Sequence, residues 1–108
     1  MGEIMNGPYE RGTFDDIPKP SDWDWEKKRM QRGAVYRIVV PFVDADGDEH
    51  GVGEEWVFIS TMFSRFDDEL TLCVRRDGHE WKIPLFWTPD AHGNLIENFN
   101  NYVVEVDG

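Results

Sequence analysis

The chain has 108 residues and a formal net charge of −11, from 22 acidic and 11 basic residues. This length predicts one domain, and this charge disfavours binding to nucleic acid or anionic membranes while favouring a basic protein partner. Cys73 is the only cysteine, which excludes an intrachain disulfide. Since the sequence has neither a signal-peptide pattern nor an apolar run of about 18 residues, we expect a cytoplasmic protein that does not enter the membrane.

Residues 1–20 contain several glycines and prolines and few aliphatic side chains. Such a segment is loose unless it docks. We therefore predict a loose N-terminal arm here, with Phe14 and Ile17 as the side chains able to pin it to the body. The rest of the chain, residues 21–108, is predicted to form a single β-rich domain.

A helix is predicted at the start of that domain. Ser21 is a suitable N-cap, and Gly33 supplies the residue that ends the helix. Four bases fill its last turns: Lys27, Lys28, Arg29 and Arg32. Bases at this end suit the helix dipole, and in so acidic a chain they do not indicate a nucleic-acid site.

Five segments carry the apolar patterns that are typical of β-strands. They are residues 35–42, 55–60, 70–75, 79–86 and 102–106. In the fourth segment, the alternation points Trp81 inward and Glu80 and Lys82 outward. Asp77 and Gly78, which precede it, predict a tight hairpin turn.

A short helix is predicted before the last strand, because Thr88 is a suitable N-cap and Pro89 suits the first helical position. The complete pattern predicts a mainly β fold with short helices. The architecture we expect is a small five-stranded SH3-like barrel or barrel-like sheet, with an N-terminal helix and a short helix before the last strand. An open meander capped by two helices is the rival architecture.

Residues 44–55, called the acidic loop below, hold six acidic residues and no lysine or arginine. Asp44, Asp46, Asp48 and Glu55 match the first, third, fifth and last ligand positions of a calcium-binding EF-hand loop. Glu49, however, stands where that loop has an invariant glycine, and strands flank the segment. Three interpretations therefore stay open: a solvated loop that turns at Asp46 and Gly47, a calcium-responsive or small-ligand site, and a surface that faces a partner.

A second acidic segment carries aromatic side chains. Phe63 and Phe66 lie between the second and third predicted strands, beside Asp67 and Asp68. In an SH3-like barrel this connection and the acidic loop flank one groove. An aromatic floor with acidic walls suits a basic or proline-containing peptide.

The sequence carries no pattern that predicts catalysis. It has no nucleophile-elbow or phosphate-loop motif. Cys73 and the three histidines lack the spacing of a zinc site. We therefore expect a protein that is not an enzyme and that needs no metal or cofactor.

Residues 33–99 resemble a family of small bacterial proteins catalogued as a domain of unknown function. Three short motifs carry the resemblance, with Phe63 downstream: Gly33-x-x-Tyr36-x-Ile38, Pro41-Phe42-x-Asp44-x-Asp46-Gly47-x-x-His50 and Gly53-Glu54-x-Trp56-x-Phe58. The segment from Trp87 to His92 matches more loosely. The resemblance implies one domain, a bacterial or phage source and a Glu54 carboxylate that hydrogen-bonds its own loop backbone. It implies no chemistry.

Together these observations predict a non-enzymatic acidic binding domain that engages a basic protein, and the sharper form of this prediction is an immunity-like or antitoxin-like inhibitor. The alternative is a small-ligand or calcium-responsive domain that uses the acidic loop. The residues expected to contact the partner are Asp44, Asp46, Asp48, Glu54, Glu55, Phe63, Phe66, Asp67 and Asp68.

Overall fold

The computed structural model describes residues 6–15, 17, 24–64 and 66–106. Its elements are α1 (Asp24–Arg29), β1 (Val35–Ile38), β2 (Phe42–Val43), β3 (Glu49–His50), β4 (Glu55–Ser64), β5 (Glu69–Arg76), β6 (His79–Phe86), α2 (Gly93–Glu97), a 3₁₀ turn (Phe99–Asn101) and β7 (Val103–Glu105). No helix among these residues is long and apolar enough to cross a membrane.

The strands form a five-stranded antiparallel sheet and a separate two-stranded hairpin. The sheet order is β6-β5-β4-β1-β7, and β2 pairs with β3. The mainly β fold with short helices is confirmed. The described strands do not close into a barrel, so the SH3-like barrel stays a prediction.

Strand β4 is longer than the sequence pattern predicts, because one part of it pairs with β1 and a longer part pairs with β5. Its first residues pair with β1, and residues from Val57 to Ser64 pair with β5, with a register shift between Phe58 and Ser60. Such a bulge bends a strand and increases its twist. The sequence pattern ends the second predicted strand at residue 60 and makes residues 61–69 a connecting loop, which is wrong in its first half, since residues 61–64 continue the strand.

The sheet is covered on both faces. One face carries the main core, in which Tyr36, Phe58 and Leu72 pack with Trp25 from α1 and Phe99 from the 3₁₀ turn. Because successive side chains of a strand point to opposite faces, the other face receives a second, smaller cluster. That cluster consists of Phe14, Ile59 and Cys73, with Tyr9, Ile17 and Met62 packed around it.

The N-terminal arm supplies that second layer. Tyr9 exchanges two backbone hydrogen bonds with Glu80, of 2.7 and 3.0 Å, and the Phe14 ring is buried against the sheet. The prediction that Phe14 and Ile17 pin the arm is confirmed. Residues 1–5, 16 and 18–20 of the predicted arm lie outside the described residues.

Glu80 is the main correction to the predicted strand pattern, since its side chain is 0% exposed. Its carboxylate accepts hydrogen bonds from the backbone N–H groups of Gly12 and Phe14, each at 2.8 Å, and from the Arg75 guanidinium at 2.9 Å. Burial works to raise the Glu80 pKa, but these donors outweigh burial and hold the pKa below its ordinary value. The sequence pattern predicts that the Glu80 side chain faces water, but in the structure the N-terminal arm covers that face of the strand.

The helix before the last strand begins later than predicted. α2 starts at Gly93, and residues 88–92 form a turn in which the N–H groups of Ala91 and Gly93 donate to the Thr88 carbonyl, at 3.1 and 2.8 Å. Thr88 is therefore a turn residue and does not cap the helix. The N-cap predicted at Ser21 lies outside the described residues, and Gly33 takes a left-handed φ of 93° before β1.

The buried Glu80 carboxylate should contribute strongly to stability. We expect Glu80→Gln to lower the free energy of unfolding in urea by about 3 kcal/mol at neutral pH, because it removes the buried charge that pairs with Arg75 and leaves Arg75 only its more exposed contact with Asp15 at 3.2 Å. Since the folded pKa lies below the unfolded value near 4.5, this stabilisation is complete above that value and disappears as the pH falls through the folded pKa.

Glu97→Gln is the matched control, because that side chain is exposed and its replacement should change stability by less than about 0.5 kcal/mol. Equal effects of the two substitutions would contradict the role assigned to Glu80.

Candidate functional site

The acidic loop folds into the β2–β3 hairpin. The Asp44 N–H donates to the Asp48 carbonyl at 2.9 Å, and the Gly47 N–H donates to the Asp44 carbonyl at 3.1 Å. Gly47 has a φ of 89°, which favours glycine. The turn predicted at Asp46 and Gly47 is therefore confirmed.

The Asp44 side chain organises this turn from inside. It is buried, and its Oδ1 accepts the backbone N–H groups of Asp46 and Asp48, at 2.9 and 3.0 Å. An aspartate that binds the backbone two residues ahead is a common turn device. In this loop the carboxylate that holds the backbone is that of Asp44 rather than that of Glu54.

His50 lies between two carboxylates. Its Nε2 is 2.8 Å from Asp44 Oδ2, and its Nδ1 is 2.8 Å from Glu54 Oε2. The imidazole stacks on the Phe42 ring with centroids 5.1 Å apart, and its side chain is 12% exposed. These contacts, called the His50 clamp below, tie β2, β3 and the start of β4 together.

The clamp favours the protonated imidazole. Burial works to lower the His50 pKa, but the hydrogen bonds and negative charges of Glu54 and Asp44 outweigh burial, so the pKa is raised. Burial works to raise the Glu54 pKa as well. The hydrogen bond and positive charge of His50 and the positive charge of Arg76 outweigh burial, so the Glu54 pKa is lowered. An imidazolium that donates both N–H groups has no lone pair for a metal or for a substrate proton.

Glu54 links the clamp to the main sheet. Its Oε2 also accepts the indole N–H of Trp56 at 3.1 Å, and its Oε1 lies 3.4 Å from an Arg76 nitrogen. Arg76 in turn places its guanidinium over the Trp81 ring, 5.3 Å from the centroid. The hairpin is therefore joined to the ends of β5 and β6 by charged and aromatic contacts.

A cleft of about 300 Å³, called the His50 cleft below, opens where the hairpin meets the sheet. Asp48 and Glu49 line it from the hairpin, and Arg76, Trp81 and Lys82 line it from β5 and β6. The exposed acidic side chains therefore lie on the hairpin side of the cleft, and the basic side chains lie on the side of β5 and β6.

A second groove, of about 470 Å³, lies beside it and is called the phenylalanine groove below. Phe63 and Phe86 line it together with the carboxylates Asp46 and Glu69. Asn6 and Lys82 border both spaces, and the side-chain amide of Asn6 donates to Asp46 Oδ2 at 2.7 Å.

The predicted site residues are distributed over three environments. Asp44 and Glu54 are both engaged in the His50 clamp. Glu55 pairs with Arg37 at 2.6 Å on the exposed side of β4 and lines neither space. The remaining predicted residues are exposed: Asp46, Asp48, Phe63, Phe66, Asp67 and Asp68. Of these, Asp46 and Phe63 meet in the phenylalanine groove.

Sequence reasoning missed the pairing of His50 and the contribution of the distant strands. The i,i+4 spacing of His50 and Glu54 is a signal that could have indicated the first. No sequence signal brings Arg76, Lys82 or Phe86 to the acidic loop, because their approach depends on the sheet order. Within the described residues, no group of three or more His, Cys, Asp or Glu side chains is arranged to hold a metal ion.

No family model matches the chain, and no curated protein matches it. A solved structure, an integron cassette protein from the mobile metagenome of Vibrio cholerae, is similar, with a TM-score of 0.68 and 21% sequence identity. The likeness covers 70% of this chain and 84% of that chain. It shows a shared fold, and the resemblance over residues 33–99 stays a prediction.

The His50 clamp predicts a specific pH dependence of stability. Because the folded pKa of His50 is raised above the ordinary 6.5, the stabilisation is complete below 6.5 and is lost as the pH rises through the folded value. We expect His50→Gln to lower the free energy of unfolding by about 2 kcal/mol at a pH of about 5.5, and by clearly less at a pH of about 9. Urea unfolding at both pH values measures the difference.

His79→Gln provides the control, because His79 is exposed and its ring contacts one backbone carbonyl, of Asp77, at 3.3 Å. A destabilisation by His50→Gln that does not change with pH would argue against a charged clamp.

Proposed function

We propose that the chain is a non-enzymatic binding domain that holds a basic segment of a partner protein in the phenylalanine groove. The observation that carries this proposal is the composition of the groove, in which Phe63 and Phe86, each 38% exposed, stand beside Asp46 and Glu69. Exposed aromatic rings supply contact area, and carboxylates select lysine and arginine.

Phe66 supports the same conclusion. It lies in the turn between β4 and β5, whose flanking residues Ser64 and Glu69 line the groove, and it is 99% exposed. Covering a phenylalanine side chain is worth roughly 1.5–3 kcal/mol. A partner seated in the groove can use Phe66 as an anchor at its end.

The surface charge favours such a partner. Asp67 and Asp68 directly follow Phe66 in the sequence, while Asp48 and Glu49 are exposed on the neighbouring hairpin. With a net charge of −11, this concentration steers a basic protein and speeds its association. In this proposal Asp44 and Glu54 shape the hairpin, and the exposed acids steer the partner toward the groove.

We further propose that the fold is an SH3-like barrel that is left open. A long connection bearing β2 and β3 joins β1 to β4, a tight turn joins β5 to β6, and a 3₁₀ turn precedes β7. That element order supports the proposal, as does the division of β4 between two neighbours.

A sharper form of the proposal is a cytoplasmic inhibitor, similar to an immunity protein or an antitoxin, that covers the basic surface of its target. Size, charge and exposed aromatic anchors support it. The origin of the similar structure in an integron cassette supports a bacterial, mobile-gene source. The geometry does not favour the calcium alternative, because Asp44 is bound to His50 and Glu55 to Arg37.

A random peptide library displayed on phage tests the proposal without a known partner. We expect selection for peptides that carry lysine or arginine next to a large apolar residue. Phe66→Ser should weaken the selected peptide at least about tenfold, while the free energy of unfolding changes by less than about 0.5 kcal/mol because the ring is exposed. Selection of acidic or uncharged peptides would overturn the proposal.

Val52→Ser is the matched control, since Val52 is 67% exposed and lies outside the groove lining. If both substitutions weaken the peptide equally, Phe66 is not an anchor.

The association rate tests the electrostatic part separately. We expect the double substitution Asp67→Asn, Asp68→Asn to slow association at low salt and to have little effect at high salt, because screening removes steering. Asparagine tolerates the φ of 51° at position 68, so the turn is preserved. Stopped-flow measurement with the selected peptide gives the rates, and a rate that the substitution leaves unchanged at low salt would contradict steering by these acids.

A further inference from the structure

We infer that the His50 cleft binds a small zwitterion, a free α-amino acid with an apolar side chain. The proposed partner site is the neighbouring phenylalanine groove, which shares Asn6 and Lys82 with the cleft, so this inference concerns a second, adjoining site. It rests on the charges that line the two sides of the cleft, on its apolar floor and on its size.

The hairpin side of the cleft offers free negative charge. The carboxylates of Asp48 and Glu49 are exposed and make no hydrogen bond or ion pair with the described part of the chain. Asp44 and Glu54 also line the cleft, but the His50 clamp already uses their oxygens. An ammonium group is therefore received by Asp48 and Glu49.

The sheet side offers positive charge. Lys82 places its ammonium over the Tyr9 ring, 5.5 Å from the centroid, and no ion pair engages it within the described residues. Arg76 contacts Glu54 at 3.4 Å through one nitrogen and keeps further N–H donors for a ligand. Arg76 is therefore the cation assigned to a ligand carboxylate, and Lys82 adds positive charge at the border between the cleft and the phenylalanine groove.

The floor between the two sides is apolar. Val74 and Ile83 line it beside the Trp81 ring. The ring of Trp81 therefore contributes apolar surface to the floor, while its indole N–H is buried away from the cleft opening.

The size of the cleft limits the ligand class. A volume of about 300 Å³ lies at the lower end of the range of roughly 300–1,000 Å³ for small-molecule sites, which suits a small metabolite. A purely anionic ligand meets the acids of the hairpin, and a purely cationic one meets Arg76 and Lys82. A molecule with both charges and a short apolar group satisfies both sides and the floor.

Calorimetric titration with L-leucine, isoamylamine and isocaproate tests the inference, because the last two compounds are leucine without its carboxylate and without its ammonium group. We expect leucine to bind and to change the tryptophan fluorescence, since Trp56 and Trp81 line the cleft. Each analogue should bind at least about tenfold more weakly, because each leaves one charged side unpaired. Absence of leucine binding, or equal binding of leucine and either analogue, would overturn the inference.

Two substitutions separate the charged sides. Asp48→Asn should weaken leucine at least about tenfold while leaving isocaproate unchanged, and Arg76→Gln should weaken leucine to a similar degree while leaving isoamylamine unchanged. Asp90→Asn and Arg11→Gln make the same charge changes at exposed positions outside the cleft lining and should have no effect. Equal losses in the variants and their controls would contradict the assigned roles.

Phe66→Ser should leave leucine binding unchanged, because Phe66 is not part of the cleft. A loss of peptide binding with retained leucine binding in this variant distinguishes the two sites. Loss of both would overturn the claim that the cleft is a separate site.

Discussion

The pairing of one histidine with two carboxylates is the interaction on which both candidate sites depend. The acidic loop has six acids and must fold against a sheet in a chain that is already strongly negative. His50 is the base within this segment, and it bridges Asp44 and Glu54 at 2.8 Å on each side. The bridge converts like-charge repulsion at the base of the hairpin into attraction. The bridge therefore fixes the position of the hairpin, which supplies one wall of the His50 cleft and places Asp46 in the lining of the phenylalanine groove.

Two groups of acids among the described residues have different roles. Buried carboxylates are satisfied internally: Glu80 by the arm and Arg75, and Glu26 by Arg32 at 2.8 Å and the Thr61 hydroxyl at 2.6 Å. These carboxylates hold the arm and α1 against the sheet. The acids exposed on the hairpin and on the β4–β5 turn have little structural use, and a surface of this kind accepts cations and basic partners. Counting acids in the sequence cannot separate the two groups.

The strands and turns were largely predictable from the sequence, because alternation and turn chemistry are local. Residues 79–86 form the predicted strand, and Asp77 and Gly78 form the predicted turn, with φ values of 55° and 81°. Glu80 was misplaced because alternation assumes that one face of the strand meets water, whereas the arm covers that face. The hairpin strands β2 and β3 have two residues each, which is too short for a periodic signal.

The site was only partly predictable, because it combines local and distant residues. The acids and Phe63 stood out by composition, and the turn at Asp46 and Gly47 by its chemistry. The contributions of Phe86 and Lys82 depend on the sheet order, which no local pattern specifies. The role of His50 depends on a turn that brings Asp44 back beside it.

The most direct test of this account is an NMR titration of the His50 ring, in which nitrogen and carbon shifts report the protonation of both ring nitrogens. A charged clamp requires a His50 pKa above the ordinary value of 6.5 and, at pH 6.5, both ring nitrogens protonated in the majority of molecules. A pKa at or below 6.5, or a single neutral tautomer as the main form at pH 6.5, would contradict the charged clamp and the hairpin geometry built on it.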